Sequence, residues 1–285
     1  MPRREPLTSR TSPQVTAVRA LHTARGRSEA GLFVVEGPQG VREALASGAR
    51  IDTLFVTPDA ASRWTDLVDA ARDREAAVLG AVETVIEAMS ETATPQGILA
   101  VCEVPHRSID DVLAATGPVV LLDEVSDPGN AGTIIRTADA VGAAGVVITP
   151  GGVDPYNGKC VRATAGSIFH LPVVTGLAAA VAVAALRAEG ITIVAATGDG
   201  TADLLDWAPS APGRLCWAFG SEAHGVGAEV RGLADALVRI PMPGRAESLN
   251  VASAAAVCLY ADLARAHGRI EDSPTRTHPT RNEAR

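Results

Sequence analysis

Two kinds of segment alternate along this chain: short apolar runs, and stretches whose apolar positions recur every three or four residues. Residues 32–35, 54–56, 77–79 and 97–101 are apolar runs of strand length. Helical stretches lie between them. One opens at Ser12-Pro13 with Val15, Val18, Leu21 and His22 on one face. The next opens at Pro38, carries Val41, Ala44 and Leu45, and stops at Gly48. Two more cover 61–72 and 82–89. The first hundred residues therefore predict a small α/β domain.

After a polar stretch at 104–117 the pattern restarts with stronger apolar character. Residues 119–122 (Val-Val-Leu-Leu) and 146–148 (Val-Val-Ile) are continuous apolar strands, as expected in a parallel sheet covered on both faces. Further strands fit 171–174, 191–195, 215–219 and 236–240, with helices at 131–141, 177–188 and 248–267. The expected organisation is a disordered tail over 1–12, a first α/β domain over 13–104, a linker over 105–117, a second α/β domain over 118–267, and a disordered tail over 268–285.

The last junction is the most informative. A strand ending at Ile240 meets Pro241 and Pro243, which lack the donor a ladder needs, and Ser248 is the expected N-cap of the Ala-rich helix that follows. A strand, a rigid polar loop and a helix N-terminus with free N–H groups together make a place to hold a ligand.

Composition narrows the picture. With 285 residues, 47% hydrophobic and 20% charged, the chain has the makeup of a soluble globular protein. The uncharged stretch 163–186 is long enough to span a bilayer, but His170, Pro172 and Thr175-Gly176 break it into a strand, a turn and a buried helix. The N-terminus has no apolar secretion segment, so a cytoplasmic protein is expected. Cys102, Cys160, Cys216 and Cys258 form no C-x-x-C pair, and the six histidines show no ligand spacing, so no metal is expected. Net charge is −8, against a generally basic surface. Residues 1–30, however, hold six arginines against Glu5 and Glu29. Such a segment is either a phosphate-contacting arm or a solvated tail.

Three loops carry candidate chemistry. In Asp127-Pro128-Gly129-Asn130-Ala131-Gly132-Thr133-Ile134-Ile135-Arg136, an amide and a guanidinium six residues apart sit at the start of a helix and about a turn and a half along it. Asn130 is either a site residue or an N-cap, and Arg136 either a site residue or a surface charge. In Phe219-Gly220-Ser221-Glu222-Ala223-His224-Gly225, a buried strand opens onto a glycine turn with a carboxylate two residues on. Glu222 either meets a ligand or caps the next helix. The third loop is the 240–252 stretch.

In this order and spacing the three loops resemble the motifs of the SpoU (TrmH-type) branch of the SPOUT RNA methyltransferases: N-x-G-x-x-x-R, F-G-x-E-x-x-G, and I-P-M followed by S-L-N-V. The chain supplies Asn130, Gly132 and Arg136; Phe219, Gly220, Glu222 and Gly225; then Ile240, Pro241, Met242, Ser248, Leu249, Asn250 and Val251. Residues 161–167 also fit the family's R-A-S-x-G element, with Thr164 replacing serine. Residues 13–103, including Phe33-Val34-Val35-Glu36-Gly37 and Thr94-Pro95-Gln96-Gly97, resemble its L30e-like substrate-binding domain.

The resemblance implies an α/β fold with a deep trefoil knot and methyl transfer from S-adenosylmethionine to a ribose 2′-OH of RNA, with 23S rRNA the expected target and transfer RNA the alternative. It implies cofactor contacts from Thr197, Gly198, Gly220, Ile240, Ser248 and Leu249, and a homodimer in which Arg136 acts on cofactor held by its partner. Arg136 is expected to take the 2′-hydroxyl proton or, since a guanidinium stays charged, to stabilise the developing alkoxide. Asn130 would orient it or the ribose, Glu222 would hold Arg136 or the substrate, and Ser248 with Asn250 would complete the pocket. Arg10, Arg19, Arg25 and Arg27 are the candidate RNA contacts, with Arg42, Arg50 and Arg63 weaker ones. A non-catalytic RNA-binding protein would need a broken motif, and a nucleotide-binding oxidoreductase would need the absent G-x-G-x-x-G turn.

Overall fold

The computed structural model describes residues 5–209 and 213–271, with side chains to residue 266. Its first part runs α1 (Pro13–Ala20), α2 (Ala24–Ala30), β1 (Leu32–Glu36), α3 (Pro38–Ala46), β2 (Ile51–Val56), α4 (Pro58–Arg63), α5 (Thr65–Asp73), β3 (Ala77–Gly80), α6 (Glu83–Met89) and β4 (Ile98–Glu103). The strands form a four-stranded sheet in the order β1-β4-β2-β3, with β4 antiparallel to both neighbours and β2 parallel to β3. Thr23 caps α2 and Thr57 caps α4, so a polar side chain marks these two restarts of the helical pattern.

The second part runs α7 (Ile109–Ala114), β5 (Val119–Asp123), α8 (Pro128–Ala140), β6 (Gly145–Ile148), α9 (Gly158–Thr164), β7 (Val173–Thr175), α10 (Ala179–Ala188), β8 (Thr192–Ala196), β9 (Ala202–Asp203), β10 (Leu215–Gly220), α11 (Ala228–Leu233), β11 (Ala236–Arg239) and α12 (Val251–Glu271). Its seven strands are all parallel, in the order β7-β6-β5-β10-β8-β11-β9. The continuous apolar runs explain this arrangement: β5, β6 and β10 are buried along their whole length. Burying each large aliphatic side chain contributes roughly 1.5–3 kcal/mol. One face packs under α8, α9 and α12, the other under α7, α10 and α11.

The face under α8 and α9 is continuous with the core of the first part. Phe33 of β1 lies 4.9 Å from the ring of Tyr156 and 6.0 Å from that of Phe169. Ion pairs brace the same seam: Arg27 with Asp154, Arg162 with Glu36, and His170 with both Glu43 and Asp139.

Several sequence expectations change here. Residues 1–4 of the expected tail lie outside the described residues, and residues 5–12 do not form a free tail: Leu7 hydrogen-bonds to Gly80 and Val82 at the edge of β3, and Ser12 caps α1. The linker 105–117 contains α7, opened by a capping box between Ser108 and Asp111. The last helix runs on to Glu271, and the rest of the tail expected at 268–285 lies outside the described residues. Its N-cap is Asn250, whose Oδ1 accepts from the N–H groups of Ala252 (2.9 Å) and Ser253 (3.4 Å), while Ser248 stays in the exposed loop before it.

Candidate functional site

Because every strand of the large sheet points the same way, the loops after β5, β6, β8, β10 and β11 open at one edge. The chain winds outward from β5 through β6 to β7 on one side and occupies β10, β8, β11 and β9 on the other. The switch point is therefore the β5–β10 pair, where an open α/β sheet leaves a crevice for ligands.

Asp127 starts α8 by accepting from the Asn130 N–H at 2.8 Å, and Pro128 occupies the first helical turn, where its missing donor costs nothing. This puts Asn130 at the third position of the helix rather than at its cap, with its side chain free to turn across the crevice. Its Nδ2 donates to Glu222 Oε1, and its Oδ1 accepts from Asn250 Nδ2 at 3.0 Å. Asn250 Oδ1 is committed to the N-terminus of α12, so its Nδ2 has to face Asn130, and the Asn130 amide in turn has to face the carboxylate. One residue from each motif thus meets in a single polarised chain. Lys159 pairs with Asp127 at 2.9 Å, and the Asp127 carboxyl is held below its ordinary pKa first by that bond and then by the backbone of Asn130.

Beside this chain lies a cavity of about 340 Å³ lined by Thr197, Gly198, Gly220, Ile240, Ser248 and Leu249, together with Glu222, Met242, Glu247 and Asn250. All six residues expected to hold a cofactor line it. Gly220 is required by its surroundings: a Cβ there would sit 2.0 Å from the backbone of Gly225, inside the tight turn that Ser221 and Gly225 close. The lining mixes backbone polar groups, apolar side chains and two carboxylates, with no arginine, lysine or histidine in it. That donor set suits a ligand carrying positive charge on a largely apolar frame.

Arg136 stands apart. It is exposed on the outer face of α8, makes no side-chain hydrogen bond or ion pair among the described residues, and does not line the cavity. Of the candidate RNA contacts, Arg10, Arg19 and Arg25 are exposed, whereas Arg27 is 4% exposed. Its guanidinium holds Asp154 (2.8 and 2.6 Å) and the Leu21 carbonyl (2.7 Å), which makes it a clamp across the seam and removes it from the RNA contacts. Arg42, Arg50 and Arg63 pair with Asp66, Glu103 and Asp59. Sequence reasoning did not single out Asp127 or Glu247. An Asp-Pro pair before an apolar helix is a start signal that could have flagged Asp127.

The described residues contain no cluster of His, Cys, Asp or Glu able to hold a metal, and no helix among them is long and apolar enough to cross a membrane.

Comparison with known proteins finds matches in both parts of the chain. Residues 117–260 match the SpoU rRNA Methylase family, and residues 12–100 match the MRM3-like substrate binding domain. The chain is 38% identical to the Bacillus subtilis 23S rRNA (guanosine(2553)-2'-O)-methyltransferase RlmP over 84% of this chain and 92% of that one. It is 34% identical to a 23S rRNA (uridine(2479)-2'-O)-methyltransferase of Streptomyces viridochromogenes over 87% of this chain and 88% of that one. The crystal structure of an AdoMet-bound rRNA methyltransferase from Sinorhizobium meliloti superposes with a TM-score of 0.83 at 34% identity, covering 92% of this chain and 98% of that one. With its motifs converging on one crevice and its family model spanning half the chain, this protein belongs to the SpoU rRNA Methylase family.

Proposed function

We propose that this protein is an S-adenosylmethionine-dependent RNA methyltransferase that transfers a methyl group to a ribose 2′-OH of 23S rRNA. The observation that carries the reading is the Asn250–Asn130–Glu222 chain at the rim of a cavity lined by the six expected cofactor residues. The named 23S rRNA relatives, similar over more than four fifths of their length, support the target.

S-adenosylmethionine supplies a methyl group already activated on a sulfonium. Backbone groups of Thr197, Gly198, Gly220, Ile240, Ser248 and Leu249 would hold it, and Glu222 and Glu247 offer the negative charge its cationic centre and ammonium group call for. The remaining work of the protein is to place the 2′-oxygen in line and ease the loss of its proton. Arg136 is a fixed positive charge, suited to contact ribose or phosphate and stabilise the developing alkoxide. Asn130 and Glu222 orient the nucleotide from the rim.

The exposure of Arg136 away from its own cavity supports a homodimer in which each Arg136 completes the partner's site. Val257 and Tyr260, exposed large side chains on α12, are the apolar surface such a dimer would cover. A trefoil knot accounts for the strand order. β9 lies beyond β11 in the sheet, although the chain passes from β8 through β9 to β10 before β11 is made. That connection encloses β11, and α12 is tied to it by Arg265, which donates to the Leu204 and Trp207 carbonyls at 3.2 and 2.8 Å. The division of labour follows the two sheets: residues 13–104 bind RNA, with Arg19 and Arg25, and Arg10 just before them, among the phosphate contacts, and the chain from residue 118 through α12 carries out the transfer. The protein acts in the cytoplasm, where its RNA is found.

Arg136→Ala is expected to abolish methylation while cofactor affinity, read by calorimetry, stays within a few-fold. Near-normal turnover by this variant would overturn the assignment.

A further inference from the structure

Two sequence elements remain without a role at the crevice, Phe33-Val34-Val35-Glu36-Gly37 and the arginine-bearing helix α9. They meet each other. Arg162 of α9 pairs with Glu36 at 3.0 Å and with Glu91 at 3.3 Å. The Glu36 side chain is 8% exposed, and its other contacts all go to one loop: it accepts from the N–H of Glu91 (3.0 Å) and from the N–H (3.4 Å) and hydroxyl (2.7 Å) of Thr92. Burying a carboxylate is costly unless its oxygens are paired, and besides Arg162 the bonds to Glu36 all come from residues 91 and 92, which fixes the start of the loop over 91–97.

That loop reaches the rim of the site. The Glu91 carboxylate lies against the start of α9, so close that a Cβ on Gly158 would collide with it. The next residue, Lys159, pairs with Asp127, the cap of the helix that carries Asn130 and Arg136. Beyond Thr92 the loop exposes Thr94 and Gln96, neither of which makes a side-chain hydrogen bond among the described residues, and it is anchored again where the Gly97 carbonyl accepts from Thr57 N–H at 2.8 Å. A loop pinned at both ends and displaying uncharged hydrogen-bonding side chains has the chemistry that reads unstacked bases, and Lys159, exposed in its pair with Asp127 at the start of α9, offers a cation for the phosphate.

We propose that the 91–97 loop, with Thr94 and Gln96 presented to the bases and Lys159 to the backbone, is the surface that grips the single-stranded RNA flanking the target ribose. Glu36 and Arg162 are positioning residues that hold it at the rim. The proposal rests on the RNA methyltransferase reading and names where that substrate lies. The relevant RNA is an unpaired loop, and the first domain contacts it from the end of its sheet marked by Glu36.

The test is filter binding of unmodified 23S rRNA to the full chain saturated with S-adenosylhomocysteine, followed by steady-state methylation. Thr94→Ala combined with Gln96→Ala removes two hydrogen-bonding groups and is expected to weaken RNA binding roughly tenfold. The RNA KM should rise in step, with kcat and cofactor affinity unchanged. Arg162→Ala should weaken RNA binding similarly and Arg162→Lys should restore part of it, with kcat and cofactor affinity unchanged in both, which a general loss of folding would not allow. Unchanged RNA affinity in the loop double variant would overturn the proposal. Since the filter assay needs no turnover, that result is distinct from a wild-type protein that binds RNA but transfers no methyl group.

Discussion

Gly132 lies where α8 crosses α9, and its replacement by alanine sets two physical effects against each other. In an open helix, Gly→Ala gains about 1 kcal/mol from backbone entropy and propensity. Here an added Cβ would stand 2.6 Å from both the Ala163 Cβ and the Cys160 carbonyl oxygen, and 3.3 Å from the Ala163 carbonyl carbon. Ordinary contact needs about 3.5–4.0 Å, so the helices would have to part by about 1 Å. Neither obstacle is a flexible side chain that can rotate away. Overpacking of this kind costs about 1–3 kcal/mol, and with backbone in the way the upper half of that range applies, leaving a net loss of about 1–2 kcal/mol. For a chain of this size that is a fall in Tm of about 2–3 °C. Because α8 carries Asn130 and Arg136, displacing it should lower methylation by more than the loss of folded protein explains. Gly232 of α11 is the control: a Cβ there meets nothing within 4 Å, so Gly232→Ala should be neutral or stabilising. Thermal and urea unfolding, with initial rates measured well below Tm, decide the matter. A Gly132→Ala protein at least as stable as the parent and fully active would refute the reasoning.

Two further substitutions separate roles at the site and the seam. Asn250→Ala removes the cap of α12 and should cost about 1 kcal/mol, whereas Asn250→Asp keeps the acceptor for Ala252 and Ser253 but loses the donor to Asn130. The aspartate variant should therefore unfold nearly like the parent in urea yet turn over more slowly, and full activity would remove Asn250 from the polarised chain. His170 bridges Asp139 of α8 and Glu43 of α3, and its pKa is raised, first by the bond to Asp139 and then by Glu43, against partial burial. Its contribution is present below the ordinary histidine value of ~6.5 and is lost as pH rises through the raised one. His170→Gln should flatten that part of the curve of Tm against pH; an unchanged curve would show that the bridge contributes nothing.

Periodicity was enough to place nearly every long element, because β5, β6 and β10 are buried on both faces and have to be apolar throughout. The three loops could be read because each combines a glycine or proline stop with a polar residue, a local signal. Contacts distant in sequence could not be read. Nothing about Arg27 tells a solvated arginine from a buried one until Asp154 is brought against it across 127 residues. Ser248 and Asn250 are equally good caps by residue type, and the choice falls to Asn250 because its amide also meets Asn130. The helices α7, α9 and α11 are six or seven residues long, too short to show a period, and β9 pairs through only two residues. Resemblance supplied the roles of the site residues, and the geometry adds how Asn250, Asn130 and Glu222 are locked to one another.

Methyl transfer to a ribose in 23S rRNA is the activity proposed for this protein. Its most direct test is incubation with tritiated S-adenosylmethionine and separate pools of unmodified 16S, 23S and transfer RNA, followed by digestion to nucleosides. Label in one 2′-O-methylnucleoside from the 23S pool alone is the expected result. Label confined to transfer RNA would keep the chemistry and contradict the target, and no label in any pool from a protein shown to bind the cofactor would contradict the claim itself.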